Sequence, residues 1–175
     1  MVARARSRFP YLWNECTNSR VGLLPGNGDL GKMQWFDAPS CFVFHFVNTY
    51  ESDGRVIANV IRHTHIFGAS DYLGPDEGKP VLVRWTFDLA RGLFAEAQLD
   101  DHGAEFPRFD TRLGGQPYRF CYSARWGHYM RFGPAFKHDV ITGSTEVHDF
   151  GPGRARFVAA AMLSSGRRET SPVSC

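Results

Sequence analysis

Val81-Leu82-Val83-Arg84-Trp85-Thr86-Phe87-Asp88 carries Val81, Val83, Trp85 and Phe87 on one face and mostly polar residues on the other. That period of two is the pattern of a strand with one face turned to a core. Arg55 to Arg62 (RVIANVIR) and Tyr118 to Arg125 (YRFCYSAR) read the same way. Cys41 to Asn48 (CFVFHFVN) is apolar on both faces apart from His45, which predicts a strand buried on both sides. Shorter strands are expected at 32–37, 92–99, 135–140 and 145–150, and helical periodicity is almost absent from the first 150 positions. Ser52-Asp53-Gly54, Ala90-Arg91-Gly92 and Thr142-Gly143-Ser144 each separate two such runs by a few residues containing Gly. Repeated hairpins without helical crossovers predict an all-β fold, and both a sandwich and a propeller fit.

Composition agrees. Aromatics make up 14% of the 175 residues, 15 of them Phe, and 18 glycines supply the turns. A net charge of +2 gives no case for nucleic acid as a partner. No run approaches the roughly 18 apolar residues of a membrane-spanning helix. The basic start, MVARARSRFPYLW, leads into no apolar segment of signal-peptide length. Cys16, Cys41, Cys121 and Cys175 form no CxxC pair, so free thiols in a cytoplasmic, reducing compartment are expected.

Two segments break the hairpin pattern: His63 to Lys79 and Asp100 to Pro117 are long, polar and interrupted by Gly and Pro, and read as loops. From Arg154 onward the chain carries a net +3, against −1 for residues 1–153, and FVAAAMLSS favours helix. The expected division is a β unit over 1–153 and a divergent basic tail over 154–175.

His45 is the most informative single residue, because a buried imidazole needs either a polar partner or a metal. A core histidine bonded to a backbone carbonyl and a metal ligand both remain open on the residues alone. Glu105, in Glu105-Phe106-Pro107-Arg108-Phe109-Asp110, is either part of a solvated loop with local ion pairs or a carboxylate aimed inward at a metal-bound histidine. His63 and His65 could share a strand face, a weak metal pair without a third ligand. His102, His128, His138 and His148 sit beside turns or polar residues and are expected to be exposed. No GxSxG elbow, phosphate loop or dinucleotide fingerprint is present, which argues against nucleophilic hydrolysis and nucleotide chemistry.

These stretches, in order, resemble the carotenoid cleavage oxygenase family, which includes the bacterial lignostilbene dioxygenases. Arg20-Val21-Gly22-Leu23-Leu24-Pro25 resembles its R-[IV]-G-x-L-P turn. Phe44-His45 with Asn48 to Glu51 resembles its F-H-x-x-N-x-[YF]-E strand. Glu105 to Asp110 resembles its E-x-P-R-x-D loop, followed by Tyr118-Arg119-Phe120. Lys137-His138-Asp139 and His148-Asp149-Phe150-Gly151-Pro152-Gly153 resemble a later hairpin. The likeness covers about residues 13–153. It implies a seven-bladed β-propeller, of which this chain holds two to three blades. It further implies Fe(II) on the axis, held by four histidines from different blades, three of them supported by glutamates. His45 matches the third histidine and Glu105 the carboxylate that supports it. The implied reaction uses O2 to cleave a C=C bond of a lipophilic polyene or stilbene into two carbonyl products. An enzyme with such substrates can also touch a membrane surface peripherally.

About a third of a family-length chain is present, so the other three histidines are expected outside it. In place of the family's continuation after Gly153 stands Arg154-Ala155-Arg156-Phe157-Val158, which suggests an out-of-frame tail on an internal piece of a longer gene. One imidazole does not match the affinity of four. The isolated chain is therefore expected to bind iron weakly and to lack cleavage activity. The alternatives are a non-enzymatic β-sheet module, binding through open edges and aromatic faces, and an unstable truncated gene product.

Overall fold

The computed structural model describes residues 13–66, 78–127 and 132–151. Among them there is no α-helix. Strands β1 (Ser19–Leu23) and β2 (Gln34–Ala38) form an antiparallel pair. Strands β3 (Phe42–Ser52), β4 (Arg55–His63), β5 (Val81–Asp88) and β6 (Leu93–Gln98) form one four-stranded sheet in chain order. Strands β7 (Ala104–Phe109), β8 (Phe120–Arg125), β9 (Ala135–Asp139) and β10 (Ser144–His148) form a second. All pairings are antiparallel, the sequential up-and-down order of propeller blades.

The hairpins follow from their turn residues. Asp53 and Gly54 both take positive φ, +51° and +72°, the two-residue turn whose twist matches that of its flanking strands. β5 spans the alternating octapeptide, with Val83 and Phe87 fully buried. Its Trp85 and Phe87 pack with Phe36, Val56, Ala58, Val60 and Phe94 between the β3–β6 sheet and the β1–β2 pair. On the opposite face, Val47, Tyr50, Ile61 and Leu82 pack against Ala104, Tyr118, Cys121 and Phe136 of the next sheet. The β3–β6 sheet is thus the middle layer of three. Each fully buried side chain of this size contributes about 1.5–3 kcal/mol.

Three expectations are corrected. The strand buried on both faces is β4 rather than Cys41–Asn48. β3 is the edge strand of its sheet, and its Phe44 and Phe46 are 42% and 54% exposed. Asp100–Pro117 is not one loop, because it contains β7. A bulge between Glu105 and Arg108 takes Pro107 out of the ladder, so its missing N–H costs no strand pairing. The remainder, Asp110 to Pro117, is tied down by Asn48, whose Nδ2 donates to the carbonyls of Leu113 and Gln116 and whose Oδ1 accepts from Gly115 N–H. His138 is 2% exposed rather than solvated. The basic tail, His128 and most of the His63–Lys79 segment lie outside the described residues.

His138 belongs to a rivet that fastens the β6–β7 connection to the second sheet. Its Nδ1 lies 2.8 Å from Asp100 Oδ2 and its Nε2 2.7 Å from Ser123 Oγ. Asp100, on the connection from β6 to β7, also accepts from Thr145 Oγ1 and from the backbone and ring of His102. Burial pushes the Asp100 carboxyl up, but the hydrogen bonds from His138, His102 and Thr145 outweigh it and hold it well below the ordinary range. A carboxyl depressed in the folded state contributes stability that is complete above its unfolded value of about 3.9 and is lost as pH falls below it. Urea midpoints measured from neutral pH downward should therefore drop steeply below about pH 4. Asp100→Asn should lower the neutral-pH midpoint and flatten that acid limb; an unchanged limb would show the rivet carries no linkage.

Candidate functional site

His45 lies on β3 between two bulges, one between Val43 and His45 and one between Phe46 and Asn48. Each bulge breaks the alternation and re-aims the side chains beside it. Opposite, in contact with β3, runs β7, whose own bulge begins at Glu105. Phe106 takes φ +55°, a left-handed conformation uncommon for a bulky residue and characteristic of sites where side-chain aim is at stake. The outcome is one carboxylate shared by two imidazoles. Glu105 Oε2 is 2.8 Å from His45 Nδ1, and Oε1 is 2.6 Å from His63 Nε2. Phe106 N–H also donates to Oε2 at 3.0 Å.

Burial pushes the Glu105 carboxyl up, but the hydrogen bonds from His45 and His63 outweigh it and keep it below the usual range. An ionised carboxylate only accepts hydrogen bonds. Both facing ring nitrogens must therefore carry hydrogen. In its unprotonated form the His45 ring is then fixed as the Nδ1–H tautomer, with a free lone pair on Nε2. Its side chain is 34% exposed, whereas Glu105 and His63 are at 6% and 1%. The Phe44 and Phe106 rings flank it, with centroids 6.2 and 5.5 Å away.

The structure thus brings His45 and Glu105 together: the His45 ring is bonded to a carboxylate rather than to a backbone carbonyl, and Glu105 is buried rather than solvated. His63 is a partner that sequence reading missed. His65 lies beyond the end of β4 beside Thr64, outside the regular strand that would set the two on one face. The signal available for His63 was register: it sits opposite Phe42 and two residues beyond Ile61, which pairs with His45. No motif pointed from it to Glu105, 42 residues onward.

Two other constellations carry less. Ser123, His138 and Asp100 form a hydrogen-bonded chain in the order of a hydrolase relay. Ser123 is 2% exposed, however, and no substrate reaches it. Asp100, Asp101 and His102 bring ligand atoms within 4.8 Å, but the Asp100 oxygens are already bonded within the rivet. Cys16, Cys41 and Cys121 are free thiols, and burial pushes Cys121 up to about 12, which leaves it unreactive. Among the described residues no helix is long and apolar enough to cross a membrane.

A family model described as retinal pigment epithelial membrane protein matches residues 4–166. A carotenoid cleavage oxygenase of Mycobacterium tuberculosis is 35% identical over 157 residues, 83% of this chain and 31% of its own length. The chain belongs to the carotenoid cleavage oxygenase family. An isoeugenol monooxygenase of Pseudomonas putida is 32% identical over 129 residues, covering 69% of this chain and 27% of its own. Among solved structures, the cobalt-substituted apocarotenoid oxygenase of Synechocystis aligns with a TM-score of 0.70 at 21% identity, over 80% of this chain and 31% of that one. The lignostilbene dioxygenase of Pseudomonas brassicacearum gives 0.70 at 22% identity, over 80% and 34%. The fold is therefore all-β and a partial propeller of this family. The chain spans about a third of the length of the curated relatives it matches.

The shared carboxylate has a direct test. A glutamine has one accepting oxygen and one donating NH2, so Glu105→Gln must set an N–H against one of the two imidazoles. The variant should be destabilised by about 1–3 kcal/mol in urea unfolding. It should also lose one of two hydrogen-bonded imidazole proton signals. Wild-type stability with both signals intact would contradict the arrangement.

Proposed function

We propose that this chain is part of a non-haem Fe(II) dioxygenase that cleaves a C=C bond of a carotenoid, apocarotenoid or stilbene with O2. His45 donates one of the iron ligands. The observation that carries the reading is the 2.8 Å contact from His45 Nδ1 to the Glu105 carboxylate. The donor chemistry fits the ion: an imidazole whose Nδ1 is tied to a carboxylate offers Nε2 as a more basic, pre-aimed ligand. Imidazole also suits iron. Bound Fe(II), completed by histidines from the rest of a full-length protein, would supply O2 activation and insertion across the double bond.

This chain's own residues orient and enclose. Glu105 holds the His45 ring and keeps hydrogen on Nδ1. Phe44 and Phe106 flank the imidazole with apolar surface, which suits a lipophilic polyene or stilbene and excludes water. The blade edge at β3 supplies one wall, and other blades would supply the rest. A cytoplasmic protein with peripheral contact to a lipid surface is consistent with such substrates.

One imidazole gives weak affinity, so the chain alone should retain well under one iron after anaerobic Fe(II) loading and desalting, by elemental analysis. Fe(II) in solution should still broaden the His45 imidazole NMR signals, and His45→Ala should abolish the effect. No stilbene or apocarotenoid should be cleaved by the chain alone. Metal binding indifferent to His45→Ala would overturn this reading in favour of a non-enzymatic β-sheet module, and turnover by the chain alone would overturn its inactivity.

A further inference from the structure

We infer that His63 is a positioning residue for His45, acting through Glu105. The inference deepens the proposed iron site and rests on that reading for its function, though its geometry does not need the metal. Glu105 Oε2 has two donors, His45 Nδ1–H and Phe106 N–H. Oε1 has one among the described residues, His63 Nε2–H at 2.6 Å. Remove it, and a buried carboxylate oxygen is left without a partner among the described residues, which a charged group tolerates poorly. The carboxylate would then turn to share its remaining donors, and the ring it aims would lose its fixed tautomer.

His63 has no other evident reason to be a histidine. It is 1% exposed, and its Nδ1 is buried without a hydrogen-bond partner among the described residues. An apolar side chain would fill the same space, edge-on to the Phe44 ring at 5.5 Å, with no orphaned nitrogen. What offsets burying the imidazole is its bond to Glu105. The bare Nδ1 also specifies the ring state, since hydrogen there would have no acceptor, while Nε2 must carry hydrogen to face a carboxylate. His45 and His63 are thus held as opposite tautomers by one anion. Adjacent strands place them on a diagonal, Phe42 opposite His63 and Ile61 opposite His45.

The test is imidazole 15N–1H NMR of the metal-free chain, above the histidine titration range, followed by Fe(II) addition under anaerobic conditions. Wild type should show His45 as Nδ1–H and His63 as Nε2–H. His63→Leu should lose the single His45 tautomer and need about tenfold more Fe(II) for equal broadening at His45. His63→Gln, whose amide can still donate to Oε1, should restore both. A folded His63→Leu chain with the His45 signature unchanged would overturn the inference, as would Nδ1–H on His63 in wild type, whatever the variants do. Correct tautomers with no Fe(II) effect at His45 in any variant would instead overturn the iron reading and leave the positioning geometry standing.

Discussion

One carboxylate, Glu105, governs how the two sheets meet at the inner edge, where their edge strands β3 and β7 face each other. It lies on β7 of one sheet, yet both its partners, His45 and His63, lie on the other. A buried anion costs several kcal/mol unless donors surround it, so the sheets must approach closely enough to supply two. The third is the N–H of Phe106, on the same strand as Glu105. The bulges follow from this demand. Regular pleating on β3 and β7 would aim successive side chains alternately up and down, and neither strand would turn its polar group toward the other at hydrogen-bond distance. Extra residues at Phe44 and around Phe106 and Pro107 rotate both strands locally. The positive φ of Phe106 is the local strain left by that rotation.

A second polar assembly performs a different task with similar chemistry. Asp100, His138, Ser123 and Thr145 close a network with every carboxylate oxygen bonded. It joins the β6–β7 connection to β8, β9 and β10. Its buried ring is closed to a ligand, because the Nδ1 and Nε2 of His138 are both committed. At the inner edge, by contrast, His45 has one nitrogen committed and one third of its side chain exposed. Satisfied on all sides, a buried histidine braces; satisfied on one side and open on the other, it can ligate.

The strands and hairpins were legible in the sequence because alternation and Gly-containing turns are local signals. β5 and β4 appear almost residue for residue where Val81–Asp88 and Arg55–Arg62 placed them. β7 was not legible, since a strand that must carry a carboxylate, a proline and an arginine at a bulge has the composition of a loop. β3 was misread in the other direction. Its apolar run signals burial, but Phe44 and Phe46 lie on an edge strand and are 42% and 54% exposed. The pairing of His45 with Glu105 came from motif resemblance rather than pattern. His63 and His138 escaped because their partners lie 42 and 38 residues away, and nothing in their neighbours marks a long-range hydrogen bond.

The exposed edge strand also bears on how much of a propeller two adjacent sheets can build. Propeller blades are stabilised within themselves by ladders and between neighbours by face packing, so adjacent blades can form a core without the ring. Here the middle sheet is covered on both faces, by the β1–β2 pair and by the β7–β10 sheet. An axial site has no such locality. A site on a propeller axis draws on several blades at once, so its closure depends on the ring. The His45–Glu105–His63 cluster is what two adjacent sheets build unaided: one partly open imidazole, with its orientation set by a carboxylate from the neighbouring sheet.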